Sequence, residues 1–221
     1  MNKKFGLSAV GLALAVMCGA AQATPLAADQ TVVPNTLAMA PAGSLLDSLS
    51  TFVSTPTFSG VLRTAVYDGP EAGVNLDFYY QFMNSETSVN SIGRVTGYDF
   101  GSWVTDVSQT AQAFGIFSAG DTAADTADRG ALGTIGFNML PNNDNFGKLL
   151  PGNDSYTFII RTGATQYTDG WAGVINGTAT FAPAFQPAVP EPGTNALIAA
   201  GLGLMGFVVR RRTKREKSAV Q

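Results

Sequence analysis

The sequence has 221 residues, of which 45% are hydrophobic and 13% are charged, which suits one modest domain with additional segments. It contains no histidine, and its single cysteine lies at position 18. Without histidine the chain lacks the commonest general base, the usual zinc ligand and the centre of a Ser-His-Asp triad. Most hydrolase and metalloenzyme mechanisms are therefore disfavoured.

Charge is distributed unevenly along the chain. Residues 24–190 carry five basic and 14 acidic side chains, a net charge of −9, whereas the other basic residues lie at the two ends. Nucleic-acid binding needs clustered lysines and arginines that neutralise phosphates. The central part of the chain is therefore not expected to bind nucleic acid.

The first 23 residues have the pattern of a secretory signal peptide. Lys3 and Lys4 give a positive start, residues 5–19 are largely apolar, and Ala21 and Ala23 place small side chains at the cleavage positions. We therefore expect export through the Sec machinery and a mature chain without cysteine. An uncleaved anchor is the alternative, but the apolar run is shorter than the ~20 residues of a membrane span.

The C-terminal end combines two prolines around a glutamate, an uncharged apolar stretch and an arginine cluster, in that order. These elements are Pro190, Glu191 and Pro192, then residues 194–209, then Arg210, Arg211 and Arg212. A helix over the apolar stretch would be about 24 Å long, which barely crosses a bilayer core. The arginines would keep the tail in the cytoplasm. Such a weak span suits a transient hold better than a permanent anchor.

This C-terminal arrangement, over residues 189–221, resembles the PEP-CTERM sorting signal of Gram-negative bacteria. The resemblance implies recognition by an exosortase, a membrane-embedded protease with a cysteine nucleophile, which removes the tail. It also implies that the domain is held in the periplasm at the inner membrane and then passes to the cell surface or the extracellular matrix. A plain tail anchor is the alternative.

Residues 24–56 are rich in Pro, Thr, Ser and Ala and predict a linker. Within it, residues 44–53 show apolar side chains at helix-like spacing, so one short helix is predicted there. We expect Leu45 and Leu49 to cover the edge of the core, and a partner-binding helix is the alternative.

From residue 57 onward the apolar side chains alternate with a period of two, which predicts strands. Residues 76–82 form the clearest example, and turn-rich clusters separate it from its neighbours. The predicted strands are 57–67, 76–82, 91–98, 102–107, 133–139, 156–162 and 173–181. Because no long helical pattern intervenes, the fold class is all-β, an antiparallel β-sandwich of roughly seven strands over residues 57–188. The predicted core is Phe58, Leu62, Leu76, Phe78, Tyr80, Phe82, Trp103, Phe137, Phe158 and Ile160.

The middle of the chain is also similar to β-rich domains found in some PEP-CTERM proteins. The similarity rests on the aromatic strand 76–82, residues 97–100, residues 150–152 before the strand that follows, and Ala182-Pro183 before the sorting signal. It supports the fold and implies no chemistry.

Two oxygen-rich clusters are candidates for Ca²⁺ binding, since this ion takes six to eight oxygen ligands. One contains Asp121, Asp125 and Asp128, and the other contains Asn142, Asn143, Asp144 and Asn145. Neither has the spacing of an EF-hand loop. We therefore interpret both as solvated loops, the first alternatively as a surface helical turn, and predict no metal and no cofactor.

A glycoside hydrolase needs only two carboxylates, so catalysis without histidine is conceivable. Before the sorting motif, however, glutamate is limited to Glu71 and Glu86, and neither lies in a recognisable motif. The chain also lacks a nucleophile elbow and a phosphate-binding loop. We therefore predict that the protein is not an enzyme.

Aromatic side chains offer flat apolar faces on which sugar rings can stack. Trp103, Trp171, Tyr79 and Tyr167 are the candidates, although packing inside the sandwich is the favoured interpretation for the tryptophans. Tyr79 alternates with the core residue Tyr80 and should therefore point outward, which makes it the preferred exposed ligand contact.

These observations predict an exported, non-catalytic surface or matrix protein with a structural or adhesive role associated with exopolysaccharide. The alternatives are a carbohydrate-binding module, with or without Ca²⁺, and a hydrolase that uses a carboxylate pair.

Overall fold

The computed structural model describes residues 23–39, 43–69, 75–101, 103–140 and 147–188, together with the isolated Leu202 and Met205. The predicted signal peptide, apart from Ala23, lies outside this part. So do Pro190, Glu191, Pro192, Arg210, Arg211 and Arg212, and all of the apolar stretch 194–209 except Leu202 and Met205. Among the described residues, no helix is long and apolar enough to cross a membrane.

In the described part of the chain, thirteen strands form two sheets. In chain order they are β1 Thr24–Pro25, β2 Thr31–Val32, β3 Asn35–Thr36, β4 Leu45–Ser54, β5 Ser59–Asp68, β6 Leu76–Asn84, β7 Arg94–Gly97, β8 Thr105–Thr110, β9 Thr126–Arg129, β10 Ile135–Asn138, β11 Thr157–Thr162, β12 Tyr167–Ile175 and β13 Ala179–Pro187. The first sheet has the order β1-β8-β11-β6-β5-β4, with β3 also paired to β8, and the second has the order β13-β12-β7-β10-β9-β2. All strand pairings are antiparallel except that of β3 with β8.

The two sheets pack face to face around one apolar core, because alternate side chains of each strand point inward. The predicted core residues are all buried there except Trp103, which is only half-buried. Tyr80 of β6 also links the sheets, since its hydroxyl donates to the carbonyl oxygen of Phe185 at 2.9 Å. The predicted all-β fold class is confirmed.

The predicted helix at 44–53 is wrong. These residues belong to β4, which pairs with β5 along its length and has an irregularity between Leu45 and Asp47. Serine, threonine, phenylalanine and valine dominate the second half of β4, and these side chains suit a half-buried strand better than a helix. Hydrogen bonding to β5 decides the conformation.

Residues 24–56 are also not a linker, because β1 to β4 all pair with strands of the sandwich. β1 and β3 lie against β8 in the first sheet, and β2 lies against β9 in the second. The sandwich therefore includes Thr24, whose partner in the sheet is Val107.

The predicted strand 173–181 is in fact a hairpin. β12 and β13 are joined by a turn in which Gly177 has a φ of 92°, a left-handed conformation that favours glycine. The short strand β9 lies where a loop or a helical turn was predicted. The structure therefore has more strands than the sequence predicted, but the class of fold is the same.

A second, smaller apolar cluster lies on the outer face of the first sheet. Residues 111–120, which follow β8, bring Phe114 and Phe117 over Tyr79 and Ile159. We call this segment the covering loop. It buries side chains that the alternation of the strands directs away from the main core.

Candidate functional site

Two exposed aromatic side chains and a half-buried one form a patch on the outer face of the second sheet. Trp171 of β12 is 56% exposed, and Phe181 of β13 is 58% exposed. Tyr98, directly after β7, lies beside Phe181 with 5.7 Å between ring centroids and 51° between ring planes. Together with Asp99 these residues line a shallow depression. We call Tyr98, Trp171 and Phe181 the aromatic platform.

The register of the β12–β13 hairpin builds the platform. Trp171 pairs with Pro183 and Gly173 pairs with Phe181, so all four residues lie on the same face. Gly173 carries no side chain, and a Cβ atom there would lie 2.9 Å from the hydroxyl oxygen of Tyr98. The glycine therefore allows the ring of Tyr98 to approach the sheet between its aromatic neighbours.

The turn after β7 is held in place by Phe100, which packs in the core. Asp99 has a φ of 64°, which is uncommon for a residue other than glycine. Phe100 follows it, is fully buried, and packs edge-on against Phe78 at 5.4 Å. The backbone N–H of Phe100 donates to the carbonyl of Gly133 at 3.0 Å. Because Phe100 is held in the core, Tyr98 and Asp99 lie in the same depression as Trp171 and Phe181.

A groove continues from Trp171 toward strand β4 of the other sheet. Asp47 and Leu49 lie on one side of it, and Asp169 and Phe185 lie on the other. The hydroxyl of Tyr167 is 3.5 Å from the carboxylate of Asp47. Burial and the nearby carboxylate of Asp47 raise the pKa of Tyr167 above its ordinary value. Trp171 thus connects the platform to the groove.

Among the residues that the structure describes, carboxylates are the only charged side chains that line these two depressions. They are Asp47, Asp99 and Asp169. The basic residues of the domain are engaged elsewhere: Arg63 pairs with Asp154, Arg94 with Asp128, Lys148 with Asp125 and Arg161 with Asp77, while Arg129 donates to backbone carbonyls. The site is therefore acidic and aromatic.

Arg94 is a basic residue whose positive charge acts on Tyr98 of the platform. Burial raises the pKa of Tyr98, and the positive charge of Arg94 partly offsets this effect. Its guanidinium bonds both carboxylate oxygens of Asp128 and lies against Gly136, where a Cβ atom would clash with it. Arg94 is thus held along the sheet by its carboxylate partner.

Tyr79, the preferred exposed contact, is buried, and that prediction is wrong. Its side chain does point away from the main core, as alternation requires, but the covering loop lies over it and leaves it 1% exposed. Its ring is 4.7 Å from that of Tyr67 and 5.9 Å from that of Phe117. Burial raises its pKa well above the ordinary value for a tyrosine.

The other predicted aromatic residues are not brought together. Trp171 belongs to the platform, and Tyr167 contacts the groove residues Asp47 and Phe185. Trp103 lies in a separate depression beside Arg129. Tyr98 and Phe181 were missed by the sequence analysis. Phe181 shows the outward alternation only once the β12–β13 turn is known, so the error in the hairpin concealed it.

The three aspartates of the first oxygen-rich cluster have separate partners. Asp121 accepts a hydrogen bond from the backbone N–H of Asp154 at 3.0 Å, Asp125 pairs with Lys148, and Asp128 pairs with Arg94. Within the described ranges, no group of three metal-ligating side chains is assembled. Asn142, Asn143, Asp144, Asn145 and Glu71 lie outside those ranges, while Glu86 lies in the turn after β6.

Comparison with known families identifies the C-terminal segment. Residues 188–212 match the PEP-CTERM protein-sorting motif. The resemblance predicted for the C-terminal segment is confirmed: the chain carries a PEP-CTERM sorting motif, which implies processing by an exosortase and export to the surface of a Gram-negative cell. No curated protein and no solved structure matches the chain. The sorting motif therefore indicates the destination of the protein but not the function of its β domain.

Proposed function

We propose that the mature protein is a non-catalytic, adhesive component of the cell surface or extracellular matrix that contacts exopolysaccharide through the aromatic platform. The observation that carries this proposal is the exposure of Trp171 and Phe181 side by side on an exported domain. Rings of this size are usually buried, and an exposed aromatic patch is typical of a binding surface.

The chemistry of the platform suits carbohydrate. The faces of sugar rings carry C–H groups that pack on aromatic rings, and their hydroxyls donate hydrogen bonds to carboxylates such as Asp99 and Asp169. Because no basic side chain among the described residues lines the site, an anionic glycan would be repelled by its carboxylates. We therefore expect neutral or amino sugars to bind in preference to uronic-acid polymers.

A glycan array probed with the protein recovered from the medium tests this proposal. Wild-type protein should retain neutral or amino glycans, and W171A and F181A should lose most of that binding. Phe52 is 66% exposed on β4, away from the residues that line the platform, so F52A is a matched control and should bind like the wild type. Array data with and without a chelator separate Ca²⁺-dependent from Ca²⁺-independent binding. Equal retention by W171A, or no retention by any form, would refute the platform as a glycan site.

Tryptophan fluorescence gives an independent measurement in solution. The chain has two tryptophans, and W103F leaves Trp171 as the only one. A glycan that stacks on the platform should change the emission of Trp171 in a saturable manner. A carboxylate-based hydrolase is the alternative activity: turnover of any polysaccharide that is abolished in D47N or D169N would overturn the non-catalytic role.

The route to the surface has its own test. Intact masses from the membrane and extracellular fractions should show loss of the first 23 residues and of the segment that follows the Pro190-Glu191-Pro192 motif. A final form that keeps Arg210, Arg211 and Arg212 in the membrane would instead indicate a plain tail anchor, and the proposed release to the surface would fail.

A further inference from the structure

A polar cluster beneath the covering loop brings together a hydroxyl, a carboxamide and a carboxylate. Gln81 of β6 is fully buried, Ser118 belongs to the covering loop, and Asp154 precedes β11. We propose that Ser118 and Gln81 react with each other to form an ester crosslink with release of ammonia, assisted by Asp154 and Arg63. This modification site is independent of the aromatic platform.

Ser118 has the surroundings of a nucleophile. Its hydroxyl donates to Oδ2 of Asp154, a carboxylate that can accept the proton as the hydroxyl oxygen attacks. The other oxygen of Asp154 is buried and has no hydrogen-bond partner among the described residues. Ser118 Oγ lies 3.2 Å from Oε1 of Gln81. Nucleophile, base and target group are thus in direct contact.

The carboxamide of Gln81 has the surroundings of an electrophile. Its Oε1 accepts hydrogen bonds from Nη1 of Arg63 at 3.0 Å and from the backbone N–H of Ser118 at 3.0 Å. Two donors on a carbonyl oxygen stabilise the negative charge that develops during attack. In serine hydrolases, the backbone N–H of the nucleophilic serine itself contributes to this stabilisation. The same relation between amide and hydroxyl occurs here within Ser118.

The nitrogen of Gln81 is fixed as well. Nε2 donates to the carbonyl oxygens of Ser118 at 2.8 Å and Ser155 at 3.0 Å. A nitrogen that donates twice and an oxygen that accepts from Arg63 and Ser118 define one orientation of the carboxamide. The carboxamide is therefore held in a set orientation, with its oxygen 3.2 Å from Oγ of Ser118.

The reaction balances without any further reagent. Oγ of Ser118 forms a bond to Cδ of Gln81 and its proton passes to Asp154. The Cδ–Nε2 bond then breaks, Asp154 returns the proton to the leaving nitrogen, and ammonia departs. One ester and one ammonia replace one hydroxyl and one carboxamide. Because the ammonia diffuses away and each molecule reacts once, a slow step is sufficient.

A crosslink at this position has a structural consequence. The mature chain would contain no cysteine after signal cleavage, so disulfides cannot protect it outside the cell. An ester between residues 37 positions apart would tie the covering loop to β6 and hold it over Tyr79. Constraining a loop of this length reduces the entropy of the unfolded chain in the way a disulfide does.

Intact mass spectrometry of the full chain recovered from expressing cells tests the proposal, in fresh samples and after prolonged incubation. The wild type should be lighter than its own sequence by one ammonia. S118A should have its full mass, S118T should restore the loss because it keeps a hydroxyl, and D154N should react more slowly. Peptide mapping should recover the segments around Gln81 and Ser118 as one species, which alkaline hydroxylamine separates.

Ammonia is also lost when an Asn-Gly pair cyclises, and Asn176-Gly177 is such a pair. Peptide mapping assigns the loss to one place or the other, and N176A removes the second source. Full mass in the aged wild type, or a loss that maps to Asn176, would overturn the proposal and leave the cluster as a hydrogen-bonded anchor of the covering loop. Q81E keeps the size of the side chain, has no ammonia to release, and should remain uncrosslinked.

Discussion

Phe137 and Phe158 stack across the interface between the two sheets, with 4.6 Å between ring centroids and 6° between ring planes. Phe137 lies on β10 of the second sheet and Phe158 on β11 of the first, and both are at most 1% exposed. Their contact joins two sheets that share no backbone pairing at this point. The stack is therefore a contact that forms only when the two sheets pack together.

Truncation of either ring should destabilise the domain strongly. We expect F137A and F158A each to lower the free energy of unfolding by about 3–5 kcal/mol, because each leaves a cavity in a close-packed core. Urea denaturation measures this change, and the double variant should cost less than the sum because the rings contact each other. F52A, at an exposed ring, should change the stability by no more than about 0.5 kcal/mol. Similar values for F52A and F137A would contradict the assigned packing.

Arg129 is a buried residue that donates hydrogen bonds to backbone carbonyl oxygens of several segments. It is 6% exposed, and its two terminal nitrogens donate to the carbonyl oxygens of Leu26, Phe100, Gly101 and Trp103 at 2.8–3.2 Å and to the hydroxyl of Thr105 at 2.9 Å. Burial lowers the pKa of the guanidinium from its usual value. The planar group thus serves as the shared donor for the segments around it.

A lysine cannot replace this fork of donors. We expect R129K to lower the free energy of unfolding by about 2–4 kcal/mol, since several buried carbonyls would lose their partner. R129M removes the donors altogether and should cost at least as much. Thermal unfolding followed by far-UV circular dichroism measures both variants. A wild-type melting temperature for R129M would show that water replaces the guanidinium at no cost.

The sequence predicted the all-β class and most of the core because these depend on local alternation, as in β6. Alternation alone does not reveal what lies above a face: Tyr79 was assigned outward correctly but is covered by a loop whose path depends on tertiary packing. The helix predicted near Leu45 failed for a related reason, since pairing with β5 outweighs the spacing of a few leucines. The platform needed the hairpin register, which places Phe181 beside Tyr98 across Gly173 and cannot be read from separate segments.

Acid should weaken the contact between Arg94 and Asp128. Burial raises the pKa of Asp128, but hydrogen bonds from Arg94 and Asn138 and the charge of Arg94 outweigh it and hold the pKa below its ordinary value. A lowered carboxyl pKa in the folded state stabilises the protein above the unfolded-state pKa of about 4, and this contribution is lost as the pH falls through the folded-state value.

The expected result is a difference in stability between wild type and D128N that is present at neutral pH and shrinks in acid. Melting temperatures of both forms from about pH 7 to about pH 3 measure it. Asp121, in the same stretch of sequence, accepts a backbone hydrogen bond and forms no ion pair within the described ranges, so D121N serves as the control. A difference between wild type and D128N that stays constant over this range would mean that the titration of Asp128 is not linked to folding.

Adding one methyl group at Gly173, beneath the platform, should weaken glycan binding. A Cβ at position 173 would lie 2.9 Å from the hydroxyl oxygen of Tyr98, so G173A should displace that ring from Phe181 while leaving the core untouched. We expect a several-fold weaker glycan affinity with a near-normal melting temperature, because only the far end of a half-buried side chain must move. Gly163 has nothing within 4 Å of the corresponding Cβ position, so G163A should keep full affinity. Equal affinity in G173A and G163A would show that the position of Tyr98 does not determine binding.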